Sequence, residues 1–202
     1  MRILLVAATD AEIAGIDGAG RGVEVLITGV GMVATAARAS RALAQARYDL
    51  ALNVGVCGSF DPALAPGSVV HVVSDRIAEL GAEDDDEFLT LDELQLPGEQ
   101  VFVNASPPPN AALDALPAVK GITVNTVHGS ERSIAAVVRR FAPQVESMEG
   151  AAFMCACLVN GVPFAQVRAV SNVVQKRNRE AWQLGEAIGS LGRAVARILE
   201  AA

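Results

Sequence analysis

The sequence predicts an α/β protein in which helices cover a largely parallel central sheet as a sandwich. Short apolar runs that indicate buried strands alternate along the chain with helical patterns. Hydrophobic residues make up 51% of the 202 residues and charged residues only 19%, which excludes a disordered chain. We expect one domain over residues 1–202, because this length supports one core and no linker interrupts the pattern.

The first half of the chain carries four apolar runs that predict buried strands. These runs are Arg2–Ala8, Val23–Thr28, Leu50–Val56 and Val69–Val73. After the first run, Thr9-Asp10-Ala11-Glu12 fits a capping box that opens a short helix. After the second run, Gly29-Val30-Gly31 leads into an Ala-rich helix that ends near Ala46. The acidic stretch Glu79–Glu99 is predicted to be irregular and solvated.

The second half adds two predicted strands and three predicted helices. The strands are Gly121–Val127 and Phe164–Val170, and the helices are Ser130–Phe141, Gly150–Val159 and a C-terminal one from about Asn178 to Ala201. In the C-terminal helix, apolar residues spaced three or four apart form one stripe. They are Ala181, Leu184, Ile188, Leu191, Val195 and Ile198.

The charge balance is acidic, with 16 Lys and Arg against 23 Asp and Glu and a net charge of −7. Duplex binding depends on clustered Lys and Arg, so this balance argues against nucleic acid as a partner. Cys57, Cys155 and Cys157 are an odd number in apolar surroundings. They indicate reduced thiols in the cytoplasm rather than a disulfide framework.

Neither a metal site nor a membrane segment is predicted. His71 and His128 show no metal-ligand spacing with the cysteines. The run Gly150–Val167 is uncharged, but Asn160-Gly161-Val162-Pro163 divides it into a helix, a turn and a strand. The N-terminal apolar run is too short for a signal peptide and is followed by an acidic residue.

The segment Gly29-Val30-Gly31-Met32-Val33-Ala34 matches a dinucleotide-binding fingerprint between a strand and a helix. An acidic residue, Asp49, follows about 20 residues on, as the fingerprint requires. It precedes the strand Leu50–Val56, however, whereas a ribose-binding acid belongs at the carboxyl end of that strand. We therefore expect a turn that packs a helix on the sheet or meets a small ligand, and no dinucleotide.

Polar and glycine-rich segments follow several predicted strands, at the sheet edge where ligands bind. They are Thr9–Glu12, Gly55–Gly58, His128–Ser130, Glu146–Gly150 and Ser171-Asn172. Structural roles stay open for several of them, since Glu12 also fits a cap and Glu149 also fits a helix start. Arg168 lies in an apolar strand and needs a partner if it is buried. Cys57 fits a nucleophile, but no histidine is near it in sequence.

Five motifs recur in the order found in one enzyme superfamily. They are Thr9-Asp10-Ala11-Glu12-Ile13, Thr28-Gly29-Val30-Gly31-Met32-Val33-Ala34, Asn53-Val54-Gly55-Val56-Cys57-Gly58, Met148-Glu149-Gly150-Ala151-Ala152, and Val162-Pro163-Phe164 with Val167-Arg168-Ala169-Val170-Ser171-Asn172. A further segment, Pro66-Gly67-Ser68-Val69-Val70, matches as well. In this order and spacing, they resemble the nucleoside phosphorylase and nucleosidase superfamily over nearly the whole chain.

The resemblance implies a nucleoside phosphorylase-like three-layer sandwich with a mixed, largely parallel central sheet, no cofactor, and a homo-oligomer. It implies that Glu12 holds the attacking water as general base, that Arg168 orients this water and ties Glu12 in place, and that Glu149 binds the ribose. It places Met148 under the sugar and Trp182 against the base. The other substrate contacts that it implies are Val54, Gly55, Val56, Cys57, Gly129 and Ser130.

Within the superfamily, the sequence is most similar to the futalosine hydrolases of menaquinone biosynthesis. The related methylthioadenosine/S-adenosylhomocysteine nucleosidases carry an Asp at the position of Asn172, where it protonates the purine. An Asn cannot act as that acid, but its amide donates to O6 or N7 and so favours a 6-oxopurine such as the hypoxanthine of futalosine. The acidic segment Thr9–Glu12 repels phosphate, which favours hydrolysis over phosphorolysis.

Two alternatives stay open at this point. A methylthioadenosine/S-adenosylhomocysteine nucleosidase is disfavoured by Asn172. A nucleotide-binding α/β module without catalysis is distinguished by whether Glu12, Glu149 and Asn172 meet in one pocket. For the benzoate end of futalosine, Arg177 and Arg179 are the candidates.

Overall fold

The computed structural model describes residues 1–14, 16, 22–85 and 87–202, and strands and helices alternate through them. The strands are β1 (Ile3–Ala7), β2 (Val23–Ile27), β3 (Leu50–Ser59), β4 (Val69–Ile77), β5 (Gly81–Asp84), β6 (Glu87–Thr90), β7 (Val101–Val103), β8 (Ala118–Thr123), β9 (Val145–Ser147) and β10 (Phe164–Val173). The helices are α1 (Asp10–Ile13), α2 (Met32–Gln45), α3 (Ala111–Asp114), α4 (Glu131–Phe141), α5 (Gly150–Asn160) and α6 (Leu184–Glu200).

The central sheet is mixed and closes on itself. Its order is β10-β4-β8-β9-β3-β1-β2, and β10 also pairs with β3, so β3, β10, β4, β8 and β9 form a ring. The pairs β1–β2, β1–β3, β3–β10, β4–β8 and β8–β9 are parallel. The pairs β4–β10, β3–β9 and β4–β7 are antiparallel. The predicted α/β class and mixed sheet are confirmed, but the sandwich is confirmed only in part, because the ring is barrel-like.

Helices cover both faces of the sheet where β1 lies. Alternate residues of a strand point to opposite faces. Leu4 and Val6 accordingly belong to a core cluster that includes residues of α2 and α5, such as Phe153. Leu5 belongs to a second cluster that includes residues of α6, such as Leu191. In this part of the molecule the predicted layers are present. Among the described residues, no helix combines the length and the apolar character needed to span a membrane.

Several elements extend or begin at other residues than the sequence predicts. The third strand was expected to end at Val56, but β3 continues to Ser59 because Gly58 pairs with β10 and with β9. The acidic stretch Glu79–Glu99 contains the hairpin of β5 and β6 rather than only irregular chain. The C-terminal helix begins at Leu184, and a 3-10 turn over Arg179–Ala181 precedes it. The short elements β7, β9 and α3 were not predicted, since so few residues carry no periodicity.

Candidate active site

A cavity of about 340 Å³ opens where β1, β3 and β10 end. The predicted site residues that line it are Glu12, Val56, Cys57, Met148, Glu149, Asn172 and Trp182. Leu184 and Ile188 of α6 add apolar wall. The fold thus brings residues that are distant in sequence together around one space, and its volume lies in the range of small-molecule sites.

The Glu12 carboxylate is fixed by four hydrogen bonds at the start of α1. Its Oε2 accepts from the backbone N–H groups of Ala8 and Thr9, at 3.1 and 3.0 Å, and from the Thr9 hydroxyl at 3.2 Å. Its Oε1 accepts from the backbone N–H of Val56 at 3.0 Å. The predicted capping box is therefore present, and the same carboxylate also bridges to β3. With one donor against three on Oε2, Oε1 keeps acceptor capacity for a ligand.

Glu149 occupies the N-terminal cap position of α5, but its carboxylate does not cap the helix. Oε1 accepts from the backbone N–H of Gly31 at 3.1 Å, and Oε2 lies 3.5 Å from Nη1 of Arg168. Gly29 and Gly31 have φ angles of 78° and 101°, a region that favours glycine. The glycine turn after β2 thus holds a carboxylate of the site.

Arg168 lies beneath the cavity rather than in its lining. Its side chain is 1% exposed, and its Nη2 donates to Oδ1 of Asn53 at 2.6 Å. Asn53 is itself anchored, because its Nδ2 donates to the carbonyl of Val6 at 3.0 Å. The hydrogen bonds of Arg168 go to Asn53 and Glu149, whereas the sequence predicted a tie to Glu12. The guanidinium therefore compensates the buried charge of Glu149.

Gly55 makes room for both charged side chains. It pairs with Arg168 in the register between β3 and β10. A Cβ at Gly55 would lie 2.6 Å from Oε1 of Glu12 and would also overlap Nη1 of Arg168. Gly55 was expected to contact the substrate. Its contribution in this structure is that the absence of a side chain leaves room for Glu12 and Arg168.

Asn172 and Glu146 flank Gly58 at one end of the cavity. Gly58 on β3 pairs with Asn172 on one side and with Glu146 on the other. The hydroxyl of Ser171 donates to Oδ1 of Asn172 at 2.8 Å, which orients the amide. Its Nδ2 donates to the carbonyl of Val173 at 3.1 Å and has a second N–H to offer. This end of the cavity therefore presents an amide donor and a carboxylate.

Glu146 is the cavity residue for which sequence reasoning found no role. It is 4% exposed, and its Oε2 lies 2.6 Å from Nδ1 of His128. The backbone N–H of His128 also donates to its Oε1 at 3.2 Å. The only signal in the sequence is that Glu146 precedes the Met148-Glu149 motif, since the three residues of β9 form no recognisable pattern.

The first turn of α5 is capped by a side chain from a neighbouring strand. Thr123 Oγ1 accepts from the backbone N–H of Ala151 at 2.8 Å and donates to Oδ1 of Asp75 at 2.8 Å. The other oxygen of Asp75 accepts from Nε2 of Gln166 at 2.9 Å. Because these strands satisfy the helix start, the carboxylate of Glu149 is available to the cavity.

Asp75 makes stability depend on pH, since burial raises the pKa of its carboxyl to about 6. The folded state then binds this proton more tightly than the unfolded state, so stability falls as pH rises from about 4 to about 6. We expect Asp75 to make the free energy of unfolding about 1–2 kcal/mol lower at pH 7 than at pH 5. Asp75→Asn removes this contribution, as urea denaturation of both proteins at both pH values measures. The same pH dependence in both proteins would contradict the expectation.

The cysteines give the cavity no activated nucleophile. Cys57 lines the cavity, but burial raises the pKa of its thiol to about 12. Since the thiolate is the reactive form, this thiol stays protonated near neutral pH. Cys57, Cys155 and Cys157 are all free. Among the described residues, no cluster of three or more His, Cys, Asp or Glu side chains is placed to hold a metal ion.

Val54, Gly129 and Ser130 are not among the residues that line the cavity. Val54 is fully buried in the core cluster beside α6. Ser130 caps α4, and the carbonyl of Gly129 accepts from the backbone N–H of Arg177 at 3.2 Å. Gly129 and Ser130 were expected close to the end of a predicted strand, Gly121–Val127. The observed strand β8 already ends at Thr123, so these two residues lie farther from the strand end.

Arg177 lies beside Trp182 at the Asn172 end of the cavity. Its guanidinium carbon is 5.8 Å from the centre of the Trp182 ring, a cation–π contact. Both side chains line the cavity. Arg179 belongs to the exposed 3-10 turn and is not part of the lining. Of the two arginines selected from the sequence, Arg177 alone therefore reaches the cavity.

Comparison with known proteins identifies relatives over most of the chain. Residues 13–202 match the phosphorylase superfamily. The chain is 37% identical over 186 residues to the futalosine hydrolase of Streptomyces coelicolor, a match that covers 88% of this chain and 78% of that protein. It is 33% identical over 186 residues to the futalosine hydrolase of Thermus thermophilus, covering 89% of this chain and 82% of that protein.

The fold is shared with a solved nucleosidase. The 5′-methylthioadenosine/S-adenosylhomocysteine nucleosidase from Neisseria meningitidis superposes with a TM-score of 0.79, covering 100% of this chain and 99% of that one. The two chains are 17% identical, so this likeness concerns the fold alone. The match of residues 13–202 and the sequence relatives show that the chain belongs to the phosphorylase superfamily and, within it, to the futalosine hydrolase family.

Proposed function

We propose that this enzyme hydrolyses the N-glycosidic bond of futalosine and releases hypoxanthine and dehypoxanthinyl futalosine. The observation that carries the proposal is that Glu12, Glu149 and Asn172 line one cavity. Two carboxylates and an amide arranged in this way suit a reaction in which a ribosyl cation forms between a nucleophile and a purine. The futalosine hydrolases among its relatives support the choice of substrate.

The two carboxylates take different parts in the reaction. As the bond from C1′ to the purine breaks, positive charge develops on the ribose, and Glu149 stabilises it while accepting hydrogen bonds from the ribose hydroxyls. Glu12 holds the attacking water on Oε1, the oxygen with a single protein donor, and takes its proton. Arg168 keeps Glu149 in place from below through its Nη1.

Asn172 recognises the purine by donating a hydrogen bond. Nδ2 of Asn172 donates one N–H to the carbonyl of Val173 and keeps a second N–H for a ligand. An N–H group pairs with the O6 or N7 acceptor of a 6-oxopurine, whereas the 6-amino group of adenine is itself a donor. The amide therefore favours hypoxanthine over adenine.

Asn172→Asp is expected to shift the preference of the enzyme from 6-oxopurine towards 6-aminopurine nucleosides. The carboxyl accepts from a 6-amino group and no longer donates to O6, and one mismatched buried hydrogen bond costs about 1–3 kcal/mol, or roughly 5- to 150-fold in relative kcat/KM. The measurement is kcat/KM for inosine and adenosine with both proteins. An unchanged ratio would remove Asn172 from the account of selectivity.

A comparison of substrates, with and without phosphate, tests the proposed function. The protein is incubated with futalosine, inosine and methylthioadenosine, and free purine is quantified. We expect hypoxanthine from futalosine, and no ribose 1-phosphate from inosine when phosphate is added, because the carboxylates of Glu12, Glu146 and Glu149 repel phosphate. Preferential release of adenine from methylthioadenosine would favour the nucleosidase alternative. No release from any substrate would favour a non-catalytic module.

We propose in addition that the enzyme forms a homo-oligomer. Val30, which lines the cavity, is 57% exposed, and Val33 in the first turn of α2 is 83% exposed. Apolar side chains that are exposed beside a site support an interface with a second copy. A molar mass from light scattering that is a multiple of the chain mass is expected, and the mass of one chain would refute the proposal.

A further inference from the structure

Cleavage of the glycosidic bond leaves a pair of electrons on the purine, and Asn172 has no acidic proton with which to neutralise it. The following inference rests on the proposed function and concerns the group that supplies this proton. General acid catalysis of such a step is worth about 10²–10⁴-fold in rate. A titratable side chain near Asn172 would supply this proton.

A small chamber of about 50 Å³ adjoins the cavity at the Asn172 end. It shares with the main cavity the residues Gly58, Val127, Glu146, Asn172, Arg177 and Trp182. His128 lines the chamber as well. Because Asn172 lines both spaces, a purine that bonds to its amide in the main cavity lies next to this chamber.

His128 is oriented by the buried carboxylate of Glu146. The distance from Nδ1 to Oε2 is 2.6 Å, and the His128 side chain is 13% exposed. A carboxylate only accepts hydrogen bonds, so Nδ1 carries a hydrogen and Nε2 is the ring atom left for a ligand. The imidazole also packs edge-on against Phe60, with ring centres 6.0 Å apart. These contacts fix the ring between Glu146 and the chamber.

Arg177 also lines the chamber. Its guanidinium keeps its protons under all conditions relevant to proteins, so it stabilises a purine anion without protonating it. Glu146 is occupied as the acceptor of His128. Of the described side chains that line the chamber, the imidazole of His128 is thus the one suited to hand over a proton.

We propose that His128, positioned by Glu146, is the general acid that protonates the departing hypoxanthine. The bond from C1′ to N9 breaks and its electron pair goes to the purine, while the Nε2 proton of the imidazolium passes to N7. Water forms a bond to C1′ and gives a proton to Glu12. The ring is left with its hydrogen on Nδ1, where Glu146 already accepts it, and exchange with solvent resets both groups.

The test compares futalosine with futalosine methylated at N7, whose purine carries a positive charge and leaves without being protonated. His128→Gln is expected to lower kcat for futalosine by about 10²–10⁴-fold and to leave kcat for the methylated substrate unchanged. The readout is hypoxanthine or 7-methylhypoxanthine released at saturating substrate. An equal loss on both substrates, or no loss on either, overturns the proposal.

Two further variants separate chemistry from folding. Glu146→Gln keeps an acceptor for Nδ1 but removes the charge, so it is expected to lower kcat selectively for futalosine, whereas a merely structural role would affect both substrates equally. His71→Gln removes the other histidine of the chain, which lies on β4 outside both spaces, and is expected to leave both rates unchanged. If the unaltered enzyme releases no hypoxanthine from futalosine, the proposed function itself fails and this inference with it.

Discussion

Glu12→Gln is expected to lower kcat for hypoxanthine release by about 10²–10⁴-fold, because an amide cannot take the proton of the attacking water. The fold should persist, since the amide oxygen can still accept the donors of Ala8 and Thr9. Its NH2 group then faces the N–H of Val56, and the loss of that hydrogen bond costs about 1–3 kcal/mol of stability. Purine release and thermal denaturation measure the two effects separately.

Asp10→Asn is the matched control for this variant. Asp10 belongs to the same short helix, α1, but it is exposed and does not line the cavity. The substitution removes a negative charge from the first turn, which is worth about 0.3–1 kcal/mol at most, and leaves the water-binding carboxylate intact. We expect turnover close to that of the unaltered enzyme. Turnover of the Glu12 variant as high as that of this control would exclude Glu12 as the general base.

Gly55→Ala is expected to impair both stability and catalysis. Its Cβ would overlap Nη1 of Arg168 and approach Oε1 of Glu12 to 2.6 Å, so both side chains have to move. Overpacking of this kind costs about 1–3 kcal/mol. Because a shift of about 1 Å in a catalytic group costs about 10²-fold in rate, kcat/KM should fall by at least that factor.

The control for the second prediction is Gly185→Ala on α6. A Cβ at Gly185 meets nothing within 4 Å, and alanine stabilises a helix by about 0.5–1 kcal/mol relative to glycine. Its activity is expected to be unchanged and its melting temperature slightly raised. Urea denaturation and activity assays compare the two variants. If Gly55→Ala is as stable and as active as Gly185→Ala, the close packing of Glu12 and Arg168 against Gly55 is required neither for stability nor for catalysis.

Local sequence patterns predicted the parts of the site that depend on neighbouring residues. The capping box of Glu12 and the strand that carries Arg168 are both visible within about ten residues of sequence. The helix start at Gly150, which places Glu149, was predicted at the residue where α5 begins. Because the motifs stood in a recognisable order, their convergence was expected as well.

The remaining features depend on which strands become neighbours. Glu146 faces Asn172 across Gly58 only because β9 and β10 both pair with β3. The partner of Arg168 was predicted wrongly for the same reason, since Asn53 lies beside it through the β3–β10 pairing. Strand order and ring closure arise from long-range packing, and a pattern of apolar runs does not contain them.

The closed ring couples the assembly of the reactive centre to slow, non-local folding. Arg168 on β10 reaches Asn53 on β3 across a separation of 115 residues. Folding slows as contacting residues become more distant in sequence, so we expect closure of the ring to be slow. A chain that ends before β10 lacks both Arg168 and Asn172, so we expect it to have no hydrolytic activity.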